Sequence, residues 1–151
     1  MSTTAQMDFQ LPDPDTQPAF YADVPTKRLI AWVIDLVVIV AISSVVALFT
    51  VVGLFFFAFI LLIVGFIYRT ITLSTHSATW GMRLTSIEFR DRTGRHFDFG
   101  SAFLHTLGYH VSISIFPLQL ISIGLMLMSS RGQGLTDHVM GSVAINRAAR
   151  Y

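Results

Sequence analysis

The chain has 151 residues, 53% of them apolar and only 13% charged, where an average soluble domain has about 45–50% apolar and about 25% charged residues. It has no cysteine, which removes disulfide scaffolds and thiolate metal sites, and ten basic against nine acidic residues leave a formal charge of +1, too little to hold a nucleic acid. A mean hydropathy of +0.64 places it among membrane proteins rather than soluble domains, disordered tails or collagens.

Residues 1–26 carry Asp8, Asp13, Asp15 and Asp23, four prolines and no Lys or Arg, a composition that buries too little surface to order itself and reads as a disordered tail. It lacks the basic start and short apolar stretch of a secretory signal, so the hydrophobic run that follows is expected to be retained. That run, Leu29 to Ile67, is 39 residues long with Asp35 as its only charge. One helix of that length would reach about 58 Å, roughly twice the ~30 Å hydrocarbon core, so the run predicts two crossings, 29–49 and 54–73, with a turn near Thr50 to Gly53.

From Tyr68 onward Arg69, Arg83, Arg90, Arg92 and Arg95 accumulate. Together with Lys27 and Arg28 before the first helix they mark loop 74–101 and the N-terminus as cytoplasmic by the positive-inside bias. Within that loop, apolar arms around Asp91-Arg92-Thr93-Gly94 predict a short β-hairpin, to which the strand-like residues 142–146 can add a third strand. The last hydrophobic region, 102–128, has two readings. As one tilted helix it would carry the C-terminal arginines outside. Broken near Pro117 into 102–114 and 117–128 it would dip in and return, which satisfies the charge bias and is the reading we adopt.

Asp35 stands out, because a carboxylate two turns into a membrane helix costs about 2.5–3.5 kcal/mol unless it is paired, protonated or facing water. Arg28 precedes it by seven residues and falls on nearly the same helix face, so the two can form a polar stripe, either a structural pair or an ion or proton site. Asp137 follows a glycine-rich turn, Arg131 to Gly134, and reads as an acid in the first turn of a short helix capped by Thr136. His105 and His110, five apart, lie about 140° from each other on a helix; they cannot chelate one ion, and one or both are read as lying at the membrane interface. HExxH, GxSxG and GxxxxGK motifs are missing, so the chain is not expected to be an enzyme, and no catalytic, cofactor-binding or metal residues are assigned.

Three segments resemble the RDD family of small multi-pass membrane proteins. Thr26 to Asp35 carries an Arg and an Asp at the family's spacing. Ala78-Thr79-Trp80-Gly81-Met82-Arg83-Leu84 is similar to its T-P-G-K-R-L element, with Trp80 in place of Pro and Met82 in place of Lys. Gln133-Gly134-Leu135-Thr136-Asp137 is similar to Q-G-L-H-D, with Thr136 in place of His. The resemblance implies an integral membrane protein for which transport of an unidentified ligand is the usual suggestion, and makes Asp137 a candidate partner of Arg28.

The expected fold is therefore an all-α integral membrane protein: two long transmembrane helices as a hairpin, a third hydrophobic region that is one span or a re-entrant pair, and a small cytoplasmic β-hairpin. Its membrane domain covers 27–147 and a short tail 148–151. The leading functional expectation is a small transport or permeation protein, oligomeric because two full spans cannot enclose a polar path. In it Asp35 binds a proton or monovalent cation and Arg28 tunes its pKa. The competing expectation is an assembly or accessory protein whose Arg/Asp stripe is glue between helices and whose β element docks a partner. A minor third, an intramembrane hydrolase, requires Asp35 and Asp137 to share one site. Expected partners are the lipid bilayer and further copies of the chain or another membrane protein, without nucleic acid. The expected location is a cell membrane, the inner membrane of a bacterium.

Overall fold

A computed structural model describes residues 11–50, 53 and 55–147. Helix α1 runs Val24–Leu48, with Pro25 in its first turn, where a missing N–H is harmless. Its 25 residues span about 37 Å. It is rich in Val and Ile, weak helix formers in water, so an apolar surround rather than propensity must hold it. Helix α2, Phe57–His76, packs antiparallel to α1. Both helices are long and apolar enough to cross a membrane. The turn expected at Thr50 to Gly53 lies partly outside the described residues.

Helix α2 ends at Ser77, a non-glycine residue held at φ 53°. Three hydrogen bonds hold that unfavoured conformation: Ser77 N–H donates to Leu73, its carbonyl accepts from Phe89 N at 2.7 Å, and its Oγ accepts from Phe97 N. Beyond it Thr79 caps the short helix α3, Trp80–Leu84, by accepting from Met82 N at 3.2 Å. Gly81 lets α3 lie directly on α1, since a Cβ there would sit 2.1 Å from the carbonyl oxygen of Ala31. Gly81→Ala is accordingly expected to destabilise the protein by about 1–3 kcal/mol through overpacking. Thermal unfolding in detergent checks this, and an unchanged midpoint would mean that the α1–α3 contact is loose.

Strand β1, Ile87–Arg90, pairs antiparallel with strand β2, Val143–Asn146, from Ile87 opposite Asn146 to Arg90 opposite Val143. This corrects the expected hairpin. The chain does turn at Asp91 to Arg95, where Asp91 Oδ1 accepts from Thr93 N, Thr93 Oγ1 and Arg95 N, but it does not return along β1. Phe97 instead docks on Ser77, and Asp98 caps helix α4, Phe99–Ser114, by accepting from Ser101 N at 2.7 Å. The second strand is the C-terminal one, buried along its whole length. Four consecutive buried residues make it a fitting partner for β1, of which Ile87, Glu88 and Phe89 are buried as well.

Helix α4 stops at Ile115 and helix α5, Phe116–Met128, leaves at a bend of 117°. Pro117 lacks the N–H that would have continued the ladder, and Ser112 Oγ donates to Gln119 Oε1 at 2.9 Å across the corner. The α4–α5 region is thus a bent pair rather than one straight helix, and it doubles back. Both its arms reach the short helix α6, Leu135–Met140: His105 of α4 bonds to Asp137, and Ser122 of α5 accepts from Leu135 N.

Residues 11–23 depart from the tail expected there. A 3-10 turn at Pro18–Phe20 leads to Tyr21, which packs with Val143 and Ile145 and donates to the Pro12 carbonyl at 2.7 Å. Asn146 then ties the segment down by donating to the carbonyls of Ala19 and Ala22. The low apolar content is overcome because a few residues are used as a cover for β2. The first ten residues of the expected tail, and the expected C-terminal tail 148–151, lie outside the described residues.

The main core sits at this sheet end, where Val24, Ala31, Leu73, Met82, Ile87 and Phe89 pack together. Away from it the helices turn apolar side chains outward, Val37 at 65% and Phe59 at 61% exposure among them. So large an apolar surface requires an apolar cover.

Candidate functional site

Arg28 leaves the first turns of α1 towards the underside of the sheet. There its Nη1 lies 2.5 Å from Asp137 Oδ2 and donates to the Gly132 carbonyl at 3.1 Å. Its guanidinium also sits 5.2 Å from the centroid of the Phe89 ring. Asp137 is 1% exposed, and each of its oxygens takes two donors. Oδ2 accepts from Arg28 and from Gly134 N at 3.0 Å; Oδ1 accepts from Ser142 Oγ at 2.9 Å and faces His105 Nε2 at 2.8 Å. Burial alone would raise the carboxyl, but the Arg28 charge and the His105 hydrogen bond outweigh it and hold Asp137 well below the usual carboxylate range.

The sequence reading of Asp137 as a helix-start acid and its reading as the partner of Arg28 both hold. The helix starts at Leu135 with Gly134 as its cap residue, so Thr136 is not the cap. It packs on Gly108 instead, where a Cβ would fall 2.6 Å from its methyl group. His105 is corrected from interfacial to buried, at 3% exposure. Because an ionised carboxylate can only accept, the ring nitrogen facing Asp137 carries a proton. Phe89 packs against the imidazole, with ring centroids 4.4 Å apart.

Asp35 is buried too, but it does not meet Arg28, and the expected stripe is corrected. Seven residues along the helix separate the two by about 10 Å, and each finds nearer partners. Asp35 Oδ1 accepts from Tyr68 Oη at 2.7 Å and Gly81 N at 2.8 Å, and Oδ2 from Thr79 Oγ1 at 2.5 Å. It thereby ties α1 to the body of α2 and to the start of α3. Asp35 and Asp137 occupy separate networks, so no acid dyad forms.

Both networks border one cavity of about 580 Å³, walled by α1, α4 and α5 with Arg28, Asp35, Arg69, His105, Tyr109 and Asp137 among its lining residues. Its volume is in the range of small-molecule sites. Sequence reasoning placed Arg69 in the second crossing, 54–73, but counted it only among the charges that mark the cytoplasmic side and missed its burial. Helix α2 continues to His76, so Arg69 lies two turns inside it and is 8% exposed. The signal was present, since Arg69 falls between Ile67 and Ile71 with no helix breaker before Ser77.

Two or three membrane-length apolar segments, closed at one end by a small sheet over a buried Arg/Asp/His centre, define a membrane-type helical protein. The chain belongs to the RDD family, whose model matches residues 23–141. That span takes in Arg28, Asp35 and Asp137. Neither the curated proteins nor the solved structures compared with it gave a match. Among the described residues, no group of three His, Asp or Glu side chains converges as a metal site.

Proposed function

We propose that the protein is an integral membrane protein in which α1 and α2 cross the bilayer, the bent α4–α5 pair enters and returns, and the sheet end lies in the cytoplasm with the N-terminus. In this reading it moves a small solute through the cavity, as an assembly of several copies in a cell membrane, and Arg28, Asp35 and Asp137 carry no covalent chemistry. The observation behind it is the cavity itself: charged and polar side chains border a space of about 580 Å³ in a chain whose outer helix faces are apolar. Buried charges in membrane helices mark solute pathways more often than decoration.

The proton or monovalent-cation form of the reading needs a carboxylate with oxygen to spare. Asp137 holds two donors on each oxygen, whereas Asp35 holds three in all and keeps one acceptor position on Oδ2, so of the two only Asp35 has room for a proton or a cation. Lacking cysteine, the chain permits a direct test. Ser122→Cys and Gln119→Cys, both on the cavity wall, are expected to react with a membrane-impermeant maleimide added to either face of oriented vesicles. Reaction from one face only would overturn permeation and favour the accessory reading, with partner crosslinking as its readout.

A further inference from the structure

Arg69 is more than nine-tenths buried, yet its Nε has no hydrogen-bond partner and no described carboxylate forms a salt bridge with it. One face of the guanidinium is covered by Tyr109, whose ring centroid lies 4.0 Å from Cζ. Tyr109 is itself fixed, because its hydroxyl accepts from Trp32 Nε1 at 2.7 Å. The charge is therefore held in place on the cavity wall, and its Nε–H lacks an acceptor among the described residues. Arg28, the other guanidinium on the wall, is already neutralised by Asp137. A desolvated cation without an acceptor is strongly unfavourable, and a guanidinium fork matches an oxyanion head.

The rest of the lining sets the other half of the ligand. Leu29, Phe116 and Leu127 line the cavity while being 62%, 71% and 71% exposed. They form an apolar mouth between α1 and α5 on the surface that requires an apolar cover. We infer that the cavity binds a single-chain anionic amphiphile from the bilayer, a long-chain carboxylate, with its head on Arg69 and its chain leaving through that mouth. One unneutralised guanidinium suits a monoanion. An apolar helix from a second copy would fill the mouth but leave Arg69 without an acceptor.

The inference deepens the transport reading by naming its solute class, and it is tested by equilibrium binding, without flux, so that either can fail alone. The full chain in nanodiscs of zwitterionic lipid is titrated with dibrominated stearate, whose bromines quench tryptophan, and Trp32 lies on the cavity wall. Saturable quenching is expected in the wild type, absent in Trp32→Phe and weakened at least about tenfold in Arg69→Gln, the loss that charge-assisted hydrogen bonds imply. The uncharged methyl ester should not saturate, and acetate or inorganic phosphate should not displace the stearate at equal concentration. Equal binding of acid and ester, or an Arg69→Gln variant that binds like wild type, would overturn the assignment. Displacement by acetate or phosphate would overturn the bilayer source.

A ligand-binding Arg69 also predicts that ligand-free Arg69→Leu unfolds no earlier than wild type, since removing an unpaired buried charge relieves the empty protein. Arg69→Lys keeps the charge without the fork and should bind more weakly while remaining folded. Failure of both variants to fold without ligand would show a structural role and overturn the proposal.

Discussion

Asp137→Ala is expected to destabilise the protein by about 3–5 kcal/mol, the loss typical of breaking a buried ion pair by removing one partner. The variant leaves Arg28 only 15% exposed without its counter-ion, and strips an acceptor from Gly134 N, Ser142 Oγ and His105 as well. Replacing Arg28 and Asp137 together by Leu should recover much of that loss, because the pair's attraction largely offsets its own desolvation. Equilibrium unfolding in mixed detergent micelles measures both. A single variant within about 1 kcal/mol of wild type would place the pair with weak surface ion pairs and reject the site as described.

Acid should act in the same direction. The folded-state pKa of Asp137 is depressed below its unfolded value of about 3.9. Its contribution is therefore complete above that value and is lost progressively as pH falls below it. Asp137→Asn lacks this contribution, so the stability gap between it and wild type should narrow on acidification.

The second large effect is expected at Asp35. Asp35→Ala removes the acceptor for Tyr68 Oη, Thr79 Oγ1 and Gly81 N. At about 1–3 kcal/mol for each buried donor left unsatisfied, the loss should exceed about 3 kcal/mol. Asp35→Asn should fall between, since its amide keeps one accepting oxygen but turns a second donor towards groups that donate. Thermal unfolding reads the order, and the fluorescence of Trp80 reads whether α3 detaches, because Trp80 N donates to Tyr68 Oη at 3.1 Å. A cation-binding Asp35 predicts the opposite pattern, a well-folded Asp35→Asn with altered flux alone. The two roles are separated by folding before any flux is measured.

Several elements were legible in the chain before any coordinates. A predominantly apolar run of 39 residues with one charge has to fold back on itself, because helix rise and hydrocarbon thickness are fixed lengths. Pro117 cannot lie in the interior of a continuous helix, because its missing N–H is a covalent fact, and it stands in the first turn of α5 instead. Arg28, Asp35 and Asp137 stand out because charges are rare in such a composition, and all three prove to belong to polar networks in which both carboxylates are buried and Arg28 is partly so. The hairpin expectation failed for a related reason. Local turn chemistry at Asp91 to Gly94 was read correctly as a turn, but strand pairing is a competition over distance, and Val143–Asn146 offered β1 a fully buried partner.

The sequence by itself determined the apolar segments, their breaks and the short inventory of charges within them, since each follows from hydropathy, backbone geometry or covalent structure over a few residues. Only the tertiary structure decided which charge meets which. Arg28 finds Asp137 from 109 residues away rather than Asp35 from seven, and Arg69 is left facing the cavity without an acid. Buried charges must be matched by whatever the packing brings within hydrogen-bond reach, and that neighbourhood is set by the doubling back of α4 and α5 and the return of β2 to β1, which no local pattern specifies.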